Sequence, residues 1–408
     1  MGYLIHKGVV SLLQKEKEMT GLIELIFFII VACSVAYVAF YSLILFLRDR
    51  NEKPARESGQ DGDRYDYLVI FPSYDEDRVI INSVRSFLKQ DYPRSKFDVI
   101  VISDHQSDET NSNLSQLPIT VIVPNFDKST KAKALQLAIN NSTNKPHDYV
   151  VVMDADNIVN TDFLKNLNIA CHQGYKAIQC HRCAKNSEND VAELDGISEE
   201  INNSIFRRAH NLVGLSSSLI GSGMCIEYNW FKNNVGKLFT AGEDRELESL
   251  LLSEGIYIRY EKDIHVYDEK VSNINNFQRQ RQRWVTAQFH SLTSMLPNIP
   301  RCIINKNINY IDKTIQQALV PRSMLIVIIA LMAILETILA WAWSKKWWIL
   351  LAILLLSLFG AVPPKLRKWS LIKKSLTAIR MTLRMFRSVS KIPTDNGEFH
   401  HTTHNSEK

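Results

Sequence analysis

Apolar positions fall into two regimes along this chain. In the first they are nearly continuous. Residues 22–47 carry Glu24 as their only charge, residues 324–343 carry only Glu336, and residues 347–363 carry none. A helix needs about 20 apolar residues, and at least about 17, to cross a bilayer core. The three stretches therefore predict one N-terminal and two C-terminal transmembrane helices. Trp341, Trp343, Trp347 and Trp348 cluster where the last two meet, like an interfacial aromatic belt. A cleaved signal peptide has an apolar region of about 7–15 residues. Ile30-Val31-Ala32-Cys33 faintly resembles a processing site, but the first stretch runs on well past Cys33, as a retained anchor does.

In the second regime, short apolar runs alternate with helical spacing. Residues 51–64 are polar and read as a linker. Runs at 66–71, 97–102, 119–123 and 148–153 predict strands. Val79, Ile81, Val84, Phe87 and Leu88 mark one helical face, and 131–140 a second helix. Strands separated by helices predict an α/β unit with a parallel sheet covered on both faces. Residues 190–300 read as mainly helical, with short strands near 256–259 and 264–267 and a helix over 277–295. The expected organisation is an N-terminal segment and span over 1–50, a catalytic domain over 51–310 and a C-terminal membrane region over 311–408. In open parallel sheets, ligands bind beyond the carboxyl ends of the strands. Asp104 follows one predicted strand, and Asp154 and Asp156 follow another, so three carboxylates converge on one sheet edge.

Charge refines this picture. The net charge is +5, and residues 365–391 hold nine basic side chains and no acid. Leu366, Trp369, Ile372, Leu376, Ile379 and Leu383 recur between them at helical spacing. Directly after a span, this reads as an amphipathic helix on an anionic membrane lipid surface, with no nucleic acid as partner. Arg48, Arg50, Lys53 and Arg56 after the first span place the central domain on the cytoplasmic side of the cell membrane. Lys7, Lys15, Lys17, Lys345 and Lys346 pull the other way. Of six cysteines, Cys180 and Cys183 are spaced like half a zinc site. No second pair exists, Cys171 and His172 are the nearest candidates, and the cysteines read as reduced and structural.

Asp154-Ala155-Asp156 is the strongest local chemistry. Two carboxylates on a turn can hold a hard divalent cation, which in turn binds a diphosphate. The same acids could also only cap a helix. Further motifs accompany it in order: Phe71-Pro72-Ser73-Tyr74-Asp75-Glu76, Gln90-Asp91-Tyr92-Pro93, Ser103-Asp104-His105-Gln106-Ser107-Asp108-Glu109-Thr110, Lys131-Ala132-Lys133-Ala134-Leu135, Gly221-Ser222-Gly223-Met224, Gly242-Glu243-Asp244 and Gln280-Arg281-Gln282-Arg283-Trp284. This ordered set resembles the membrane-bound family 2 glycosyltransferases, such as the cellulose, chitin and hyaluronan synthases and exopolysaccharide transferases. His105-Gln106 stands where that family usually has Gly-Ser, Gly242 replaces Thr, and Gln136 replaces Asn.

The resemblance implies a GT-A (Rossmann-like) domain and direct, inverting transfer from a nucleotide-sugar donor, a UDP-sugar by preference. It implies that Ser73, Tyr74, Glu76, Asp104, Lys131, Asp154, Gln280 and Arg283 bind that donor, with Asp104 on the nucleobase. Asp156, with Asp154, would ligate Mg2+ or Mn2+. Asp244, beside Glu243, would be the general base, and Trp284 would stack on the acceptor. Two plainer readings stay open. Glu243-Asp244-Arg245-Glu246 fits any helix start, where acids are favoured, and Arg279, Arg281 and Arg283 fit a membrane-facing basic patch. His400, His401 and His404 resemble a metal tract, and read as a tail docking under the domain. The expected acceptor is a growing surface polysaccharide. The alternatives are a single addition to a lipid, similar to ceramide glucosyltransferases, and a non-catalytic membrane subunit, against which the full set of acids argues.

Overall fold

The computed structural model describes residues 2–48, 64–142, 145–240, 242–339 and 341–367, with positions 374, 377, 380 and 381. Most of the expected basic helix, most of the linker and the histidine tail lie outside the described residues. The chain forms two compact units: Met1–Leu43 with Leu319–Gly360, and Ile44–Ala318 with Ala361–Lys408.

In chain order the elements are α1 (Gly2–Arg48), β1 (Tyr67–Tyr74), α2 (Ile80–Phe87), β2 (Phe97–Asp104), α3 (Asp108–Ser115), β3 (Thr120–Ile122), α4 (Lys131–Asn140), β4 (Tyr149–Val152), β5 (Ile158–Val159) and α5 (Phe163–Cys171). Then come β6 (Ala177–Ala184), α6 (Asp190–Asn202), α7 (Ala209–Leu212), β7 (Met224–Glu227), α8 (Tyr228–Asn234), α9 (Glu243–Ser253), β8 (Ile258–Asp268), α10 (Ile274–Met295), α11 (Ile299–Ile304), α12 (Ile308–Ala318), α13 (Arg322–Leu339) and α14 (Trp341–Ala361).

One eight-stranded sheet runs β3-β2-β1-β4-β7-β6-β8-β5. Strands β3, β2, β1 and β4 are parallel. The sheet is not parallel throughout, because β7 runs antiparallel to both β4 and β6. Burial follows the strand period of two. Tyr67, Val69 and Phe71 join a core on one face with Phe87, Phe97 and Phe163. Leu68 and Ile70 join a second core on the other face with Leu135, Ile139 and Leu247. Both faces are apolar, hence the unbroken hydrophobic runs. Strands β6 and β7 were not visible in the sequence pattern. Polar Gln179, His181 and Arg182 interrupt β6, and β7 is only four residues, so pairing rather than propensity makes them strands. The two short strands expected near 256–259 and 264–267 are one strand, β8, with a register shift opposite Cys180 and His181.

Among the described residues three helices are long and apolar enough to cross a membrane: Met19–Arg48, Arg322–Leu339 and Trp341–Ala361. Trp341 and Trp343, expected at the end of the second span, lie in α14. Within this unit Glu24 of α1 accepts from Lys346 Nζ at 2.7 Å and from Trp347 Nε1 at 3.2 Å. Trp347 is fully buried, edge-on to Phe28.

Candidate active site

Strands β1 and β2 end flush, with Ser73 opposite Ser103 and Tyr74 opposite Asp104. Both chains then leave the sheet through left-handed residues, Asp75 at φ +53° and His105 at φ +57°. Non-glycine residues seldom adopt this conformation, and it often marks working sites. It turns the His105 ring back: Nδ1 donates to Asp104 Oδ1 at 2.6 Å, and the ring lies 5.0 Å from that of Tyr74. Ser73 Oγ accepts from Gln106 Nε2 at 2.8 Å.

The Asp-x-Asp turn follows β4. Asn157 fixes it by accepting the Asp154 N–H at 2.9 Å and donating to Asp156 Oδ1 at 3.0 Å. Asp156 is buried, and its Oδ2 accepts the Glu269 N–H at 2.7 Å. Asp154 Oδ1 lies 2.5 Å from Lys131 Nζ. Burial works upward on the Asp154 carboxyl, but Lys131 and then Arg182 outweigh it and hold it below the usual range. Glu76 sits near the same turn. Burial first, and then the charges of Asp156, Asp154, Asp75 and Glu269, push its carboxyl up to about 9. An excess of carboxylates that drives one to keep its proton at neutral pH suits a hard cation. Among the described residues no group of three or more His, Cys, Asp or Glu is arranged to hold a metal ion unaided. Asp154, Asp156 and Glu76 offer hard oxygen donors of the kind that a divalent cation takes.

Lys131 opens α4, where the Thr130 hydroxyl accepts the Lys133 N–H at 3.2 Å as a helix cap. Its ammonium bridges three segments: Asp154, the Gly221 carbonyl at 2.5 Å and Glu243 Oε1 at 3.4 Å. It joins the Asp-x-Asp turn to the loop before β7 and to α9. That loop ends at Gly223, whose φ is +64° and where a Cβ would meet Val266 Cγ2 at 2.9 Å, so only glycine fits. At the start of α9, Asp244 Oδ2 accepts the Gly221 N–H at 3.1 Å. Glu243 is buried, and burial raises its carboxyl to about 7 although Lys131 opposes the shift.

Helix α10 reaches this cluster because Gly242 packs on Ala287, the place of a Cβ lying 3.0 Å from Ala287 Cβ. Gln280, Arg283 and Trp284 share a face of α10, being three and four residues apart. Gln280 Oε1 is buried without a hydrogen-bond partner among the described residues. Trp284 is already engaged on one side: the Arg281 guanidinium lies 4.1 Å from its ring and 4.8 Å from Phe277, and is also ion-paired to Asp195 of α6.

Sequence reading missed Arg182 on β6. It is buried beside the turn, 3.7 Å from Asp154, 3.7 Å from Glu199 and 3.4 Å from Asp268. Its flanking cysteines drew attention as half a zinc site. All six cysteines are free, and His181 instead bonds Glu200 and the Lys262 carbonyl.

Against this geometry, the model of the family described as "Glycosyltransferase like family 2" matches residues 64–287, more than half of the chain. The Staphylococcus aureus poly(ribitol-phosphate) beta-N-acetylglucosaminyltransferase TarS is 27% identical over 110 residues, covering 24% of this chain and 18% of TarS. A Methanococcus voltae dolichyl N-acetyl-alpha-D-glucosaminyl phosphate 3-beta-D-2,3-diacetamido-2,3-dideoxy-beta-D-glucuronosyltransferase is 26% identical over 110 residues, covering 26% of this chain and 34% of that protein. The chain thus spans well under half the length of these curated relatives. The mannosyltransferase PcManGT from Pyrobaculum calidifontis, solved with GDP-Man and Mn2+, superposes with a TM-score of 0.51 at 18% identity, covering 81% of this chain and 96% of that one, a likeness of fold alone. With its mixed GT-A sheet, its strand-end acids and a family match running from the first strand into α10, this chain belongs to glycosyltransferase family 2.

Proposed function

We propose that the chain moves a sugar from a nucleotide-sugar donor to a membrane-associated acceptor, inverting the anomeric centre and forming a β-linkage. One observation carries this reading: Lys131 ties Asp154, on the donor side, to Glu243 and the Asp244-bound loop, on the acceptor side, in one hydrogen-bonded unit. Tyr74 and Asp104 receive the nucleobase. Asp154 orients the donor sugar, and Gln280 and Arg283 hold the diphosphate, with arginine as a forked phosphate partner. Asp156, with Asp154, would hold Mg2+ or Mn2+, which when bound neutralises charge on the departing diphosphate. Asp244 takes the acceptor hydroxyl proton as that oxygen attacks the anomeric carbon and the bond to the diphosphate breaks. The Trp284 face turned away from Arg281 supports the acceptor ring.

The acceptor is a growing surface polysaccharide, with the chain in the cell membrane and the catalytic unit facing the cytoplasm, as its basic flanks favour. A single addition to a lipid is the second reading. It is favoured by the number of membrane-capable helices, three among the described residues, which is few for a polymer channel. The test is release of nucleoside diphosphate by the detergent-solubilised full chain from a panel of labelled nucleotide sugars. Excess chelator should abolish turnover and Mg2+ or Mn2+ restore it. Asp244→Asn should lose about 10²–10⁴-fold in rate while still binding nucleotide. Full activity in chelator overturns the metal role, and near-normal turnover of the variant overturns the base.

A further inference from the structure

Three of the described positions in the basic segment after the last span are engaged by the sheet domain. Lys374 Nζ lies between two acids of α6, 3.1 Å from Asp190 Oδ1 and in contact with Glu193 Oε2. Thr377 Oγ1 donates to Asp190 Oδ2 at 3.5 Å. Met381 is 5% exposed and packs with Val271 and Phe277, against Val191 and Leu194 of α6 and Ile274 of α10. Positions 374, 377 and 381 recur at the spacing of one helix face. The contact leads on into α10. Phe277 carries the Arg281 guanidinium on its ring, and Arg281 pairs with Asp195 of α6 and lies over Trp284. The segment, α6 and the first turns of α10 are thus packed together, directly ahead of Gln280 and Arg283.

We propose that Lys374 and Met381 are positioning residues: the segment after the last span is an arm that clips α10 to α6 and so holds Gln280 and Arg283 at the donor diphosphate. The two parts of the contact divide the work. Met381 supplies the apolar burial, and the half-exposed ion pairs, weak in themselves, fix where along α6 the arm lies. Asp190 and Glu193 stand in the first turn of α6, where acids are already favoured, so the arm meets a fixed negative patch. A basic segment that pairs with acids of its own chain can transmit its place to α10, which one held by lipid alone does not. The inference rests on the reading of Gln280 and Arg283 as the diphosphate clamp.

Hydrogen exchange and nucleotide titration of the detergent-solubilised full chain test it on wild type, Lys374→Glu, Met381→Asp and the charge swap Lys374→Glu with Glu193→Lys. Undocking the arm should speed exchange over residues 274–284 by about tenfold in the single variants, and the swap should bring it back to within about threefold of wild type. UDP and UMP, each with Mn2+, then read the clamp. Wild type should bind UDP about tenfold to a hundredfold tighter than UMP, as charged hydrogen bonds to the second phosphate allow. The single variants should lose about tenfold of that ratio with UMP affinity unchanged, a pattern that general loss of stability does not give, and the swap should restore it. If Met381→Asp lacks a cooperative melt, Lys374→Glu at the exposed side of the contact carries the comparison. Unchanged exchange, or a swap that rescues neither readout, would overturn the docking. Faster exchange at an unchanged UDP-to-UMP ratio would overturn the positioning role and leave the donor site intact. Wild type that binds UDP no better than UMP would remove the diphosphate-clamp reading and the inference with it.

Discussion

Glu243 and Asp244 are adjacent in sequence and differ in chemistry. Glu243 points inward to Lys131, with burial raising its carboxyl to about 7. Asp244 is anchored by the Gly221 N–H on one oxygen and the Arg245 N–H on the other. A carboxyl raised on folding keeps its proton more readily in the native state. Its contribution to stability is therefore full below the unfolded value near 4.5 and is lost as pH rises through about 7. Thermal melts between pH 5 and 8 should show a fall in stability that is smaller in Glu243→Gln. An equal fall in the two proteins would mean that another group, Glu76 foremost, sets that limb. The candidate residues whose place was legible in the sequence are those that end or follow a strand, such as Asp104, Asp154 and Asp156. Arg182 was not legible, because its partners Asp154, Glu199 and Asp268 come from three elements that only folding brings together.

At the scale of elements, the loop between α7 and β7 is held by side chains from its surroundings. Asn309 of α12 accepts the Ser216 N–H, Glu248 of α9 the Leu219 N–H, Gln179 of β6 the Ile220 N–H and Asp244 the Gly221 N–H. Behind them lies Lys313 of α12, 2% exposed, 2.9 Å from Glu248 and 2.5 Å from Ser218 Oγ. Burial lowers its ammonium pKa, with Glu248 opposing. Lys313→Met strands a buried carboxylate and should cost about 3–5 kcal/mol of stability. Adding Glu248→Gln should recover part of that, so the double variant should melt above the sum of the single losses. Strict additivity would show that the two groups do not act as a pair. Amphipathic spacing made α4 and α10 readable, and unbroken apolar runs made β1, β2 and β4 readable. Strand β7 and the suspended loop were not, since their structure is supplied by partners distant in sequence.

At the scale of the molecule, the chain interrupts one unit with another: α1 enters a helical unit that is completed only by α13 and α14, after the sheet domain. The Glu24–Lys346 ion pair joins the first of these helices to the last, with Trp347 closing over it. Lys346→Leu should lower the amount of protein in carbonate-washed membranes several-fold, because an unpaired carboxylate near an apolar helix is costly. The companion Glu24→Gln should restore most of it, and wild-type abundance of the single variant would rule out a structural role for the pair. The pairing also sets a schedule. Glu24 and Lys346 are 322 residues apart, and at ~5–20 residues per second of synthesis Glu24 waits on the order of tens of seconds for its partner. For that interval α1 is a lone helix carrying an uncompensated acid, and the whole sheet domain is translated before the acid is neutralised. A chain truncated by a stalled ribosome or a nonsense codon before Lys346 would thus expose a carboxylate that a membrane quality-control protease could use to tell an unfinished copy from a finished one.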